Sequence, residues 1–202
     1  LGNIISNSDG DVKIALAEER TVENVLIIVV TSDRGLCGGY NSNLIKAAKA
    51  VIIEKYAAQH ANGHVQILPT GKKGYEHFTK NGFKVVDKFW DIFTGLSFDK
   101  VQAAAKYAMD AFANKQVDAV ELIYSEFKNA ATQRFVTEAF LPVQKVEKAP
   151  GQKNADFIFE PGKDVLITEL MPKILNTQLF KATLDANASE HGARMTAMDK
   201  AS

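Results

Sequence analysis

The chain has 202 residues, 46% hydrophobic and 24% charged, enough to bury one sizeable core. Its 24 lysines and arginines balance 24 aspartates and glutamates, so no overall field recruits nucleic acid or an anionic membrane surface. One cysteine excludes an internal disulfide, no apolar run approaches the roughly 20 residues of a membrane helix, and no signal peptide is visible, so the chain reads as cytoplasmic.

Leu1 to Ser6 resembles the end of a helix, and Asp9, Asp11, Glu18, Glu19 and Arg20 read as a solvated entry segment. Val25 to Thr31 is a continuous apolar, β-branched run, the pattern of a central strand buried on both faces of a parallel sheet. After a glycine-rich loop, Leu44, Ala47, Ala48, Val51, Ile52 and Tyr56 recur at helical spacing and predict a helix starting near Tyr40 or Asn41. Val65 to Leu68 predicts a second strand, Gly71 to Lys80 a short helix closed by Asn81-Gly82, and Phe83 to Phe89 a third strand. Ser97 caps a predicted helix from Phe98 to Asn114 whose inward stripe is Val101, Ala105, Ala108 and Phe112. Val117 to Phe127 and Gln133 to Val143 read as strands joined by only five residues, which requires antiparallel pairing and makes the sheet mixed. Lys145 to Asn154, with Pro150-Gly151, reads as a flexible loop.

From Asp164 to Ser202 the pattern changes. Leu170, Ile174, Thr177, Lys181, Leu184, Ala188, His191, Met195, Met198 and Ser202 alternate spacings of four and three, the seam of a coiled coil. Small residues crowd the same stretch, with Ala186, Ala188, Gly192, Ala193, Ala197 and Ala201 allowing another helix to come close. A helix of that length spans roughly 50 Å and is expected to project beyond the sheet, starting or bending at Pro172. Its proximal part is expected to pack through Leu166, Leu170 and Ile174, and its distal part, from about Asn187, to fray without a partner. No capping residue closes it at Met198 to Ser202, and both ends of the sequence read as interrupted helices. The fold class is therefore α/β, a Rossmann-like mixed sheet with helices on both faces and a long C-terminal helix forming half of an antiparallel coiled coil. The expected division is an entry segment over 1–20, a globular domain over 21–162 and the long helix over 163–202.

The loop "SDRGLCGGYNSNLIK", residues 32 to 46, concentrates three glycines and the lone cysteine. It matches neither the G-x-G-x-x-G nor the G-x-x-x-x-G-K fingerprint, though a helix N-terminus there offers amides to an anion. Gly35-x-Cys37-x-Gly39 fits a nucleophile elbow, but only one strand precedes it, and His60, His64, His77 and His191 supply no acid-then-histidine order. A cysteine-dependent hydrolase using Cys37 and a nucleotide-binding module using this loop stand as alternatives to a structural turn made by Gly38 and Gly39. His60 and His64 are four apart but separated by Asn62-Gly63, so no metal site is read there, and Trp90 and Phe93 read as packing.

Two separated stretches, "TSDRGLCGGYNSNLI" and "ASEHGARMTAMDKAS", resemble the gamma-subunit family of rotary F-type ATP synthases, in the right order and about 150 residues apart. The resemblance implies a non-catalytic rotor component with no cofactor, no metal and no small-molecule substrate. Its terminal helices would pair as a shaft and the segment between would form a foot. Implied partners are the hexamer of alpha and beta subunits, the epsilon subunit and the proteolipid ring of the membrane sector. The implied location is the cytoplasmic face of the bacterial inner membrane. Carried over by motif, Ser32, Asp33, Arg34, Gly35, Leu36, Cys37, Gly38, Gly39, Tyr40 and Asn41 form the signature loop at the shaft–foot junction. Glu190, His191, Arg194, Met195, Met198 and Asp199 belong to the shaft helix, with Arg194 its implied polar contact toward the hexamer. Gly192 departs from the family's usual alanine, which costs on the order of 0.5–1 kcal/mol in a helix interior.

Overall fold

A computed structural model describes residues 15–144 and 163–201. Leu1 to Ser6, Asp9, Asp11, the loop from Lys145 to Asn154 and Ser202 lie outside the described residues.

Five strands form one sheet in the order β3-β2-β1-β4-β5. β1 (Val25–Val29) is fully buried and lies parallel to both β2 (Val65–Pro69) and β4 (Ala119–Asn129). That central place is the one its unbroken apolar run predicts, because a strand covered on both faces has no polar side to alternate. β5 (Thr132–Leu141) returns antiparallel to β4 through a tip at Ala130-Ala131. β3 is shorter than the Phe83 to Phe89 reading, since only Lys84–Val85 pair with β2 before the chain turns away through Asp87 to Gly95.

Helices α1 (Tyr40–Lys55), the single turn α2 (Ala57–Ala61) and α3 (Lys72–Lys80) follow the first two strands. α4 (Phe98–Ala113) is capped by the Ser97 side chain, which accepts the Lys100 N–H. Two apolar clusters result, one on each face of the sheet. Val25, Ile27 and Val29 pack with Leu44, Ala48 and Ile52 of α1 and Phe78 of α3. Leu26, Ile28 and Val30 pack with Val101, Ala105, Ala108 and Phe112 of α4, the four residues of its predicted stripe. The period-two pattern of the strands and the 3.6 period of the helices thus sort each residue to its cluster.

The long helix α5 (Lys163–Asp199) runs through Pro172 rather than starting there. Pro172 forgoes one backbone donor, while Met171 and Leu175 on either side are buried in the α4-side cluster and hold that turn in place. The helix is packed against its own domain from Met171 to Ala197, and by Ala193 it has joined the α1-side cluster. Large residues of the four-three seam stay exposed, as expected without a partner helix. Met171, Leu175, Leu179, Ala182, Ala186 and Ala193 are buried, whereas Leu184, Met195 and Met198 are 45%, 53% and 49% exposed. The distal half expected to fray is therefore held by a second, small-residue stripe that touches its own domain. Among the described residues no helix is long and apolar enough to cross a membrane.

Arg20 is not solvated as its charged neighbourhood suggests. Its guanidinium lies 4.3 Å from the Phe112 ring centre, donates to the carbonyls of Phe112 (2.7 Å) and Val117 (2.6 Å), and pairs with Asp118 at 2.7 Å. Asp118 also accepts the backbone N–H groups of Glu23 and Asn24, fixing the approach to β1. Burial works to raise the Asp118 carboxyl, but the Asn24 N–H, Arg20 and the Glu23 N–H overcome it and hold the group below the usual carboxylate range. A depressed carboxyl stabilises the fold above its unfolded value of about 3.9 and loses that contribution as pH falls through the folded value. Arg20→Ala is expected to cost about 3 kcal/mol by leaving the Asp118 carboxylate without its cation. Urea titrations check this: the deficit should be full at pH 7 and shrink below pH 4, and an unchanged midpoint at pH 7 would refute the anchor.

Candidate functional site at the loop and helix junction

β1 delivers the glycine-rich loop to the C-terminal edge of the sheet, where α5 crosses it. Ser32 and Asn41 bind the loop's two ends: the Ser32 N–H donates to Asn41 Oδ1 at 2.9 Å, and Asn41 Nδ2 donates to Ser32 Oγ at 2.8 Å. Ser32 Oγ in turn donates to the Arg34 carbonyl at 2.6 Å. Asp33 Oδ1 accepts the Lys72 N–H at 3.1 Å, so a carboxylate of the chain itself sits at the N-terminus of α3, the position an anion would take. Thr31 Oγ1 accepts the Gly74 N–H at 2.9 Å, and a Cβ on Gly71 would stand 2.3 Å from the Thr31 carbonyl. These glycines let α3 sit against the end of β1.

Gly38, at φ 57°, makes the turn into α1, while Gly39 at φ −80° sits in a conformation open to any residue. The unexpected left-handed residue is Leu36, at φ 61° and 78% exposed. Cys37 is 3% exposed and lies 3.3 Å from Asn41 Nδ2 and 3.8 Å from the Arg34 carbonyl. Neither neighbour is a base, and Cys37 is not on the wall of the polar cavity of about 450 Å3 that opens between loop and helix. Asp33, Arg34, Thr94, Glu190 and His191 are on that wall. The elbow chemistry therefore lacks both a proton acceptor at the sulfur and a route for substrate. Among the described residues no group of three or more His, Cys, Asp or Glu is placed to hold a metal ion.

The two motifs meet in space, 150 residues apart in sequence. Tyr40 Oη donates to the Ala186 carbonyl at 2.9 Å. Burial first, then the Glu190 carboxylate and Cys37, push this phenol well above its usual range, so it remains a neutral donor. Arg194 ion-pairs with Glu190 and donates to the Gly35 carbonyl at 3.3 Å, so its guanidinium is engaged within the chain. His191 lies 3.7 Å from Glu190 and faces solvent; Met195, Met198 and Asp199 are exposed beyond it. On the other side of α5, Ser189 and Ser125 share a buried hydrogen bond of 2.6 Å, and Thr196 Oγ1 donates to the Ala130 carbonyl at 3.2 Å. Ser125 and Ala130 carry no motif, and Ser189 lies in the helix motif without having been singled out; a serine in an apolar strand and one in an alanine-rich helix were the available signals.

Gly192 explains itself here. A Cβ at that position would lie 2.7 Å from the Ala130 carbonyl oxygen and 2.9 Å from its Cα, so the helix reaches the β4–β5 tip only without a side chain. Gly192→Ala gains up to about 1 kcal/mol of helix propensity and costs about 2 kcal/mol through backbone displacement at the tip. Thermal unfolding should show a net loss of stability, and a raised midpoint would show that the tip yields freely.

The whole chain, residues 1–202, matches the ATP synthase family model. It is 46% identical over 204 residues to the ATP synthase gamma chain of Cytophaga hutchinsonii and 41% identical over 201 residues to that of Chlorobaculum tepidum. In both cases the match covers 100% of this chain and 69% of the relative. The fold is similar to a chain in the central stalk and c-ring structure of the Tetrahymena thermophila mitochondrial ATP synthase. That likeness has a TM-score of 0.65 at 21% identity, covering 98% of this chain and 84% of that one. A rotor chain of the Euglena gracilis enzyme gives 0.60 at 18% identity, with 98% and 79% covered. The match along the full length, at this identity and over this share of its relatives, means that the chain belongs to the ATP synthase gamma-chain family.

Proposed function

We propose that the chain is the central-stalk rotor subunit of an ATP synthase. It performs no chemistry itself and couples rotation of a membrane ring to ATP synthesis and hydrolysis in a hexamer of alpha and beta subunits. The observation that carries this reading is the two-faced helix α5. Its buried stripe belongs to the foot, and its opposite stripe, exposed Leu184, His191 and Met195 with half-buried Ala188, faces away from the domain at coiled-coil spacing. An apolar stripe on a helix gains its stability by packing, so this face calls for a partner helix, and antiparallel pairing along it makes a shaft.

In this reading residues 21–162 are the foot, the helix from 163 is the start of the shaft, and the loop from Ser32 to Asn41 is their junction. The foot meets the epsilon subunit and the proteolipid ring, in keeping with the central-stalk and c-ring assembly named for the Tetrahymena relative. Arg194 serves the hexamer indirectly, by holding the helix to the loop through its pair with buried Glu190, and His191, Met195, Met198 and Asp199 present the shaft surface. The complex sits on the membrane through its ring, and this chain is peripheral to it.

Single-molecule rotation tests the reading. With the full-length chain assembled in an immobilised alpha/beta hexamer and a bead on a cysteine replacing exposed Lys88, ATP should drive rotation in one direction. Unbiased bead motion while the hexamer hydrolyses ATP would overturn it, as would ATP hydrolysis by this chain alone.

A further inference from the structure

The contacts between α5 and the rest of the molecule are unevenly distributed. Between Met171 and Ala182 they are mainly apolar: Met171, Leu175, Leu179 and Ala182 lie in the α4-side cluster. Among the described residues the direct polar tie from that half to another element is Gln178 to Glu138, at 3.3 Å. Apolar contact is non-directional, and a helix resting on it resists lifting more than it resists turning.

Between Ala186 and Ala197 the arrangement differs. Four hydrogen bonds reach α5 from two separate segments. Tyr40 Oη donates to the Ala186 carbonyl and Arg194 to the Gly35 carbonyl on the loop side. On the hairpin side Ser125 bonds Ser189, and Thr196 donates to Ala130. Gly192 presses on the Ala130 backbone, and a Cβ on Gly38 would lie 3.9 Å from the Ala197 Cβ. With about 100° per residue, Ala186, Ser189, Gly192, Arg194, Thr196 and Ala197 span about 200° of the helix circumference. Leu184, His191, Met195 and Met198 fall in an arc of about 60° on the opposite side. A helix gripped over more than half its circumference by directional bonds from two sides can neither roll nor slide.

We propose that residues 186–197 of α5, held between the Gly35–Tyr40 loop and the Ser125–Ala130 hairpin, are the torque-bearing joint of the rotor, with Ser189 and Arg194 its main positioning residues. This rests on the rotor reading. Torque from the foot enters the shaft at this collar, and the proximal half of α5 contributes stability without carrying the twist. The loop motif and the shaft motif are thus the two halves of one mechanical contact.

The bead assay on the full-length chain in its complex separates the two claims, because rotation by the unmodified chain is needed for the rotor reading alone. The torsional stiffness between foot and hexamer is read from angular fluctuations of the bead in the nucleotide-locked state. Ser189→Ala combined with Arg194→Ala removes two of the four ties and should roughly halve the stiffness, to the extent that the ties act independently. Leu175→Ala, which empties a buried site in the proximal half, should lower thermal stability and leave the stiffness unchanged. Gly38→Cys with Ala197→Cys, in a Cys37→Ser background, places two Cβ atoms at a spacing a disulfide accepts; because a side chain at φ 57° strains position 38, the reduced form of the same variant is the reference. Oxidation should restore stiffness to the weakened variant, and to the unmodified collar it should add stiffness if the first variant fails to assemble. Unchanged stiffness in the Ser189/Arg194 variant, an equal loss in Leu175→Ala, or no effect of the disulfide would each overturn the collar while leaving the rotor reading intact.

Discussion

The close approach of α5 to the β4–β5 hairpin is the contact on which the rest depends. Gly192 lies against the Ala130 backbone, Ser189 reaches Ser125, and Ala193 enters the cluster shared by α1 and β1. A larger side chain at 189, 192 or 193 would lift the helix off the hairpin and, with it, off the loop that Tyr40 and Arg194 bind. The small stripe is what lets a helix of 37 residues lie against its own domain and still leave a whole face free. A helix buried all round would have nothing to offer a partner, and one packed only at its base would have nothing to resist a turning load.

The glycine-rich loop takes its meaning from this contact. Ser32, Asn41 and Cys37 fill the loop from within, and the Gly35 carbonyl and Gly38 present its outer surface to α5. Cys37 is a small buried packing residue beside Asn41, and Asp33 occupies the helix end at which a phosphate would bind. Residues that by type suggest chemistry are thus engaged in holding a joint. That is coherent with a gamma chain acting through shape and stiffness.

Much of the architecture was legible in the sequence because the signals were strong and local. The apolar run Val25 to Val29 identified a central strand, Ser97 identified a helix start, and a five-residue connection identified an antiparallel pair. The loop and helix motifs could be read as belonging together only through family resemblance, since nothing in their spacing predicts that Arg194 meets Gly35. The four-three stripe of α5 was read as a seam awaiting a partner, and Leu184 and Met195 on it are exposed, but the hold of the distal half on its own domain was missed: beyond large Met171, Leu175 and Leu179 the packing face is made of alanines, serine and glycine. Buried area favours large residues, but close approach favours small ones, and hydrophobic periodicity registers only the first. Arg20 was misread because its sequence neighbours are charged, while its partners Phe112, Val117 and Asp118 are more than 90 residues away.

The central claim is that α5 has two faces with different owners, and thiol accessibility tests it directly. Single cysteines placed at Leu184 or Met195, and at Ala186 or Ala193, in a Cys37→Ser background, would be alkylated in the 202-residue chain and in the full-length chain within its complex. The account predicts that Leu184 and Met195 positions react rapidly in the shorter chain and are protected in the complex, while the Ala186 and Ala193 positions are protected in both. Protection of the Leu184 and Met195 positions in the shorter monomer, or their continued rapid alkylation in the assembled complex, would contradict it.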